Sequence, residues 1–394
     1  MLTTWLGFGI SLAVILAVAS RTMPAALLAG AFVLGLTTLP WSVFADRVTF
    51  TLTDPAVLLL AAAMAMVPMI GGAMRQSGQV DALVRNLRVR QRWLLPLSAS
   101  MMGLLPMPGG ALLSAPIVEK AGGGVPDELK AAINNWFRHL FILIYPLSPA
   151  LIASSKIAGV DVYAAMLHLL PGSLLSVVLG YFFYLRQVNG PTRREGRFSW
   201  AELALPLAVV LAAPVLDFTL KRAAGLGNLA TVIGTVTAFG LSAGLSRERI
   251  DLTALTRRAR PWNFALIIIG MFLYVNVFVA SDIRELIAAL PLPTLILALA
   301  AGFGLGFGTG RVDLSSSIIF PIYLAGAGSV TPSVFALIYA AVFFGYMISP
   351  VHPCLVVTSE YFKVPVRKIM RRHAAPTAAV LGIVLTIAGV LLAQ

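Results

Sequence analysis

Gly302-Phe-Gly-Leu-Gly-Phe-Gly-Thr309-Gly310-Arg311-Val-Asp313-Leu-Ser315-Ser316-Ser317 decides how this chain is read. It lies in an apolar stretch yet holds two of the three ionic side chains placed inside hydrophobic spans; Arg138 is the third. A charge at membrane depth costs several kcal/mol unless paired or wetted, so it marks a functional path. The glycines and serines around it imply interrupted backbone, which a membrane tolerates only inside protein or beside water. The combination predicts a solute site, as in a transporter.

Composition points the same way. Of 394 residues, 59% are hydrophobic and 11% charged, with a mean hydropathy of +0.90; soluble domains carry roughly 25% charged residues. A span takes about 20 apolar residues, and the apolar runs supply about ten spans. The net charge of +13 resembles a nucleic-acid signal until it is placed. The basic residues cluster in short loops between spans, which is orientation charge and excludes nucleic acid as a partner. A single cysteine, Cys354, excludes an intrachain disulfide and is expected as a small packed apolar side chain. The first apolar run, Trp5 to Ser20, has no basic segment before it and is expected as a retained span rather than a signal peptide.

Proline and charge punctuation predict spans near 3–20, 23–39, 55–74, 131–155 and 162–185, then 200–217, 226–245, 262–280, 332–357 and 374–393. Two further stretches, 94–118 and 292–326, are rich in Gly, Pro and Ser and read as re-entrant hairpins that enter and leave on one side. Loops 75–93, 186–197, 246–260 and 360–373 contain 19 Lys/Arg against 5 Asp/Glu; loops 40–54, 156–161, 217–222 and 282–285 contain 5 against 6. Positive charge stays inside, so the first set is cytoplasmic and both termini lie outside. The first hairpin then opens inward and the second outward.

The halves echo each other. Tyr145-Pro-Leu-Ser148-Pro149 matches Tyr346-Met-Ile-Ser349-Pro350 at an offset of 201, and Pro116 matches Pro321 at 205. Five spans plus a hairpin, repeated upside down, is the inverted-topology repeat of secondary transporters. The expected fold is therefore an all-α polytopic membrane protein of two inverted repeats, residues 1–187 and 200–394, joined by a cytoplasmic linker at 188–199.

Four motifs carry the expected chemistry. In Pro106-Met-Pro108-Gly109-Gly110-Ala-Leu-Leu-Ser114-Ala-Pro116 the prolines prevent a continuous helix. The glycines let backbone approach a ligand, and a helix starting near Ala111 aims free N–H groups at an anion. In the second tip, Asp313 or Ser315 is expected to cap the outgoing helix. Arg311 offers a fork that suits carboxylate or phosphate, and Asp313 binds a cation or carries a proton unless it only pairs with Arg311. Ser148-Pro149 and Ser349-Pro350 break the following spans and free carbonyls for a cation such as Na⁺; His352 adds a titratable group there. Asn134, Arg138, Tyr145 and Ser148 fall on one helical face as a polar stripe. Asn134 and Asn135 are expected to line the path, Arg138 to snorkel, and His139 to face elsewhere, with His168 and Asn276 isolated.

The first hairpin sequence and the two Tyr-x-x-Ser-Pro breaks resemble the domain of unknown function 401 family of prokaryotic integral membrane proteins, placed in the ion transporter superfamily beside gluconate and other carboxylate permeases. The resemblance covers nearly the whole chain. It implies a cytoplasmic (inner) membrane location, two hairpins and two broken helices around one site, a scaffold–transport division and an elevator-type homodimer. Carried over, the substrate and cation positions are Pro108, Gly109, Gly110, Ser114, Ser148, Thr309, Gly310, Asp313, Ser315 and Ser349. Dicarboxylate members carry Ser-Asn-Thr at their tips; this chain lacks that triplet, which argues against dicarboxylates.

The expected function is cation-coupled transport of a small organic anion, driven by Na⁺ or a proton and needing no other cofactor. Substrate contacts are expected from Pro108, Gly109, Gly110, Ser114, Asn134, Thr309, Gly310, Arg311, Ser315, Ser316 and Ser317, and cation coupling from Ser148, Asp313, Ser349 and His352. A cation/proton antiporter is the nearest alternative. An intramembrane enzyme would need His-Glu-x-x-His, Gly-x-Ser-x-Gly or a comparable set, and the chain has neither motif; nor has it a Walker A pattern.

Overall fold

The computed structural model describes residues 2–19, 21–104, 111–190, 198–246, 249–288 and 294–393. The first hairpin tip, with Pro108, Gly109 and Gly110, and most of the 188–199 linker lie outside them. Every described element is helical. In chain order these are α1 (Leu2–Ala19), α2 (Met23–Thr38), α3 (Trp41–Thr53), α4 (Pro55–Gln76), α5 (Gln79–Asn86), α6 (Gln91–Gly103), α7 (Ala111–Ala121), α8 (Asp127–Leu140), α9 (Pro149–Ala158) and α10 (Val162–Phe183). Then follow α11 (Trp200–Ala224), α12 (Gly227–Gly244), α13 (Leu252–Ala259), α14 (Pro261–Ala280), α15 (Ile283–Ala288), α16 (Thr294–Thr309), α17 (Val312–Ala327), α18 (Pro332–Met347), α19 (Pro353–Phe362) and α20 (Val366–Ala393).

Local chemistry sets the helix ends. Asp54 accepts from the Ala56 N–H with Pro55 at the first helical position, and Asp161 accepts from the Tyr163 and Ala164 N–H groups. Each satisfies donors that a helix start leaves orphaned. Gly159 and Gly225 adopt left-handed backbone and stop α9 and α11. Among the described residues, five helical segments are long and apolar enough to cross a membrane: Pro55–Gln76, Val162–Gln187, Trp200–Ala224, Leu252–Ala280 and Val366–Ala393. Their outer faces are apolar: Leu167, Leu174, Val178 and Phe182 are exposed along α10, a pattern that suits lipid rather than water. Trp41, Trp93, Trp200 and Trp262 are exposed in the first turns of α3, α6, α11 and α14, where amphipathic rings favour a membrane interface.

The helices pack in two groups. α1 lies on α2, α11 on α12, and α4 against both α12 and α14. In the other group α6 packs on α8, α16 on α18, and α10 against α18 and α20. Each hairpin's outgoing helix crosses to the far half of the chain: α7 packs on α19, and α17 on α9. Contacts of α14 and α15 with α17 join the groups.

Several expectations need correction. The segment 40–54, expected as a loop, is α3, while α5 and α13 interrupt the loops at 75–93 and 246–260. These short helices are too polar to stand out, and they bury only a few side chains such as Val80, Leu83 and Leu255. The 217–222 loop is the end of α11, and Asp217 is a further ionic group inside the packed helices, 1% exposed. Its carboxylate accepts from Tyr163 Oη, from Thr231 Oγ1 at 2.6 Å and from Lys221 Nζ at 2.9 Å, so its charge is fully met.

Candidate functional site at the helix breaks

Two helices stop inside the second packing group, and each is followed by a helix that starts at a proline. α8 ends at Leu140 and α9 begins at Pro149; α18 ends at Met347 and α19 begins at Pro353. Ser148 precedes α9 at φ −62°, ψ 121°, and His352 precedes α19 at φ −63°, ψ 115°. The structural counterpart of Ser148-Pro149 is therefore His352-Pro353, 204 residues on, and not Ser349-Pro350. The match at 201 pairs residues at different places in the two breaks. Ser349 sits inside the second break, buried, its hydroxyl accepting from the Val351 N–H at 3.3 Å.

The second hairpin turns through Gly310, whose φ of +61° suits a residue without Cβ. A Cβ there would also meet the Val351 and His352 backbone at 2.9 Å, so the tip is pressed onto the second break. Thr309 Oγ1 accepts from the Arg311 N–H at 3.1 Å and lies 3.1 Å from Ser315 Oγ. Ser315 donates back to the Arg311 carbonyl at 2.8 Å. Capping by Asp313 or Ser315 is not found: Arg311 holds the N-cap position with no side-chain cap bond. Among the described residues no ion pair joins Arg311 to Asp313. Ser315, Ser316 and Ser317 are fully buried; Ser317 donates to the Leu314 carbonyl, while Ser316 Oγ has no described partner.

On the opposite side α7 brings in Ser114, fully buried, with Arg138 Nη1 3.4 Å from its hydroxyl. Arg138 is 4% exposed. It turns inward to α7 and does not snorkel, because α7 and α19 cover that face of α8. Asn134 is fully buried and donates to Thr358 Oγ1 on α19 at 3.0 Å. Asn135 turns away, to His373 Nε2 at 3.2 Å. The expected single-face stripe does not form, since α8 ends before Tyr145 and Ser148. Tyr145 donates instead to the Val210 carbonyl of α11 at 3.2 Å.

His139 does not face elsewhere. Its ring centroid is 4.7 Å from that of His352, which lies 3.9 Å from the Tyr346 ring. Cys354 is half-buried beside them. Asn276 is not isolated either: it donates to Thr51 Oγ1 at 2.8 Å. What the fold assembles is thus a buried polar centre running from Ser114 and Arg138 through His139 and His352 to the Gly310 tip. Cavities of about 260 and 240 Å³ open elsewhere, one lined by Asp81, Arg85 and Lys120, the other by Arg75 and Arg258.

The fold is similar to that in the crystal structure of the Alcanivorax borkumensis YdaH transporter, described as having an unusual topology. The TM-score is 0.56 at 14% identity, covering 90% of this chain and 88% of that one. At that identity the likeness concerns the fold alone. No curated protein matches the sequence. Residues 6–392 match the model of the family described as protein of unknown function (DUF401), and this multi-pass helical membrane protein belongs to that family.

Proposed function

We propose that the protein is a secondary active transporter of a small organic anion, coupled to Na⁺ or a proton, and not an enzyme. One observation carries this reading: two helices broken at Ser148 and His352, with a hairpin tip pressed onto the second break, enclose a centre of buried serines, Asn134 and Arg138. Freed backbone groups and hydroxyls of that kind suit an anion and a cation held together. Arg138 and Arg311 supply positive charge for the anion, with Ser114, Asn134, Thr309 and Ser315 to Ser317 around it. Asp313, Ser148 and Ser349 serve the cation. The likeness to a transporter fold supports the same class.

In this reading the chain has about ten spans and two re-entrant hairpins, arranged as inverted repeats at 1–187 and 200–394 about the 188–199 linker. Repeated close contacts support the duplication. Gly103 lies against the Arg138 carbonyl as Gly306 lies against that of Val342. The α1–α5 and α11–α15 group is the scaffold, and the remainder moves. The burial of the centre requires such motion before solute can enter. The kinship is with the ion transporter superfamily, the location is the inner membrane with both termini outside, and the working unit is a homodimer.

The test is a thermal-shift screen of carboxylates and phosphates on the purified protein, with and without Na⁺, followed by uptake of the best ligand into proteoliposomes. A ligand stabilises the state it binds. Anion-dependent stabilisation that Arg138→Gln abolishes is expected. If no anion stabilises the protein and cation gradients alone drive exchange, the antiporter reading, which Asp313 favours, replaces this one.

A further inference from the structure

We propose that His139, His352 and Cys354 form a binding site for a monovalent thiophilic metal ion, Cu⁺, at the junction of the two broken helices. One ligand atom from each lies within 4.8 Å of the other two. With metal–nitrogen bonds of about 2.0 Å and metal–sulfur bonds of about 2.3 Å, ligand atoms around one ion sit roughly 3.5 Å apart, so closure takes about 1 Å of side-chain movement. The proposal is independent of which solute the protein carries.

Two independent features support a metal. First, His352 is fully buried and neither ring nitrogen has a described hydrogen-bond partner; the Met347 carbonyl faces the ring without a well-formed bond. Such a group costs stability unless something binds it. Second, His139 Nδ1 is 2.6 Å from the Asn135 carbonyl. That arrangement leaves Nε2 as the ligand and fixes its tautomer, which is how metal-binding histidines are commonly held. Cys354 supplies the sulfur from the second position of α19, directly after His352 and Pro353. Tyr346, its ring tilted by 37° against that of His352 with centroids 3.9 Å apart, holds that ring in place.

Charge selects the ion. Thiolate and imidazole are soft and borderline ligands that suit Cu⁺ or Zn²⁺. The thiolate complex of Cu⁺ is neutral, whereas that of Zn²⁺ carries a net positive charge beside Arg138 in a poorly solvated interior. Binding displaces the Cys354 thiol proton to solvent and forms the metal–sulfur bond, with no change of oxidation state. This assignment takes His352 out of cation coupling and makes it a tie between the two halves of the chain.

The experiment uses the full-length protein in detergent under anaerobic conditions, titrated with Cu⁺ against a chromophoric Cu⁺ chelator and separately with Zn²⁺. One equivalent of Cu⁺ should bind and shield Cys354, the chain's single cysteine, from alkylation. Monodisperse His139→Gln, His352→Gln and Cys354→Ser proteins should each lose more than about tenfold in affinity. X-ray absorption on the wild type should show one sulfur and two imidazole nitrogens, a readout that needs no variant to fold. A sulfur-only shell, unchanged affinity in both histidine variants, or substoichiometric binding would overturn the site. Equal affinity for Zn²⁺ would overturn the monovalent assignment.

Discussion

Gly306 of α16 lies against the main-chain carbonyl of Val342 on α18, with no room between them for a methyl group. Gly103 of α6 meets the Arg138 carbonyl of α8 in the same way. Each hairpin's incoming helix is thereby locked to the helix that follows the hairpin. The obstructing atoms are backbone and cannot rotate aside. Gly306→Ala should lower the midpoint of thermal unfolding by the equivalent of about 1–3 kcal/mol, the cost of overpacking. Gly304, where a Cβ would meet nothing within 4 Å, is the control: Gly304→Ala should be neutral or slightly stabilising. Equal midpoints for the two variants would show that α16 and α18 do not pack this closely.

Asp217 ties three helices together through Tyr163 of α10, Thr231 of α12 and Lys221 one turn on. Removing one member of such a network strands the others, at a cost of about 3–5 kcal/mol for a buried ion pair. Lys221 is partly exposed and recovers some water, so Asp217→Ala should fall at the lower end and Asp217→Asn should cost less. Thermal unfolding in detergent, scored against a surface change such as Arg222→Gln, reads the difference. An unperturbed Asp217→Ala protein would leave the network without a stabilising role.

Ser316 and Ser317 are adjacent and equally buried, but only Ser317 has a described partner. If the Ser316 hydroxyl serves the anion, Ser316→Ala should weaken binding by about 1 kcal/mol, one hydrogen bond, with little loss of stability. Ser317→Ala should weaken binding less, because the Ser317 hydroxyl already donates to the Leu314 carbonyl. Calorimetric titration of both variants with the anion found by screening separates them; unchanged affinity in both would move the site off α17.

Asp313 stands in the first turn of α17 without an ion pair to Arg311. Asp313→Asn should abolish gradient-driven uptake while the protein stays folded, and adding Arg311→Gln should not restore it. Restoration by the double change would reveal a purely structural pairing. Wild-type uptake by the single variant would remove Asp313 from coupling.

Orientation is tested by accessibility. In a Cys354→Ala background, a cysteine at Asn189 or Thr256 should be labelled only from the cytoplasm and one at Asp161 only from outside. Labelling of Asn189 from the outer face would invert the topology.

Much of the scaffold was legible because membrane helices announce themselves by composition. The long apolar runs appear as helices where sequence placed them, and a turn at Gly310 interrupts the stretch 292–326. What resisted was of two kinds. α3, α5 and α13 are short and mixed in polarity, so no periodic apolar stripe separates them from loops. The register between the breaks was misread because Tyr-x-x-Ser-Pro recurs at 201, whereas backbone geometry pairs Ser148 with His352.

By itself the sequence determined a helical membrane chain, an uneven distribution of loop charge and helix breaks near Ser148-Pro149 and Ser349-Pro350, because proline, glycine and loop charge act locally. Which polar groups meet was decided only by tertiary packing. Asp217 finds Tyr163 at a separation of 54 residues, and Asn134 finds Thr358 at 224. His139 meets His352 because α8 crosses α19, not because of any spacing in the chain. Buried polar groups must find partners wherever the fold brings them, and for Arg138 the fold supplies an interior instead of a headgroup.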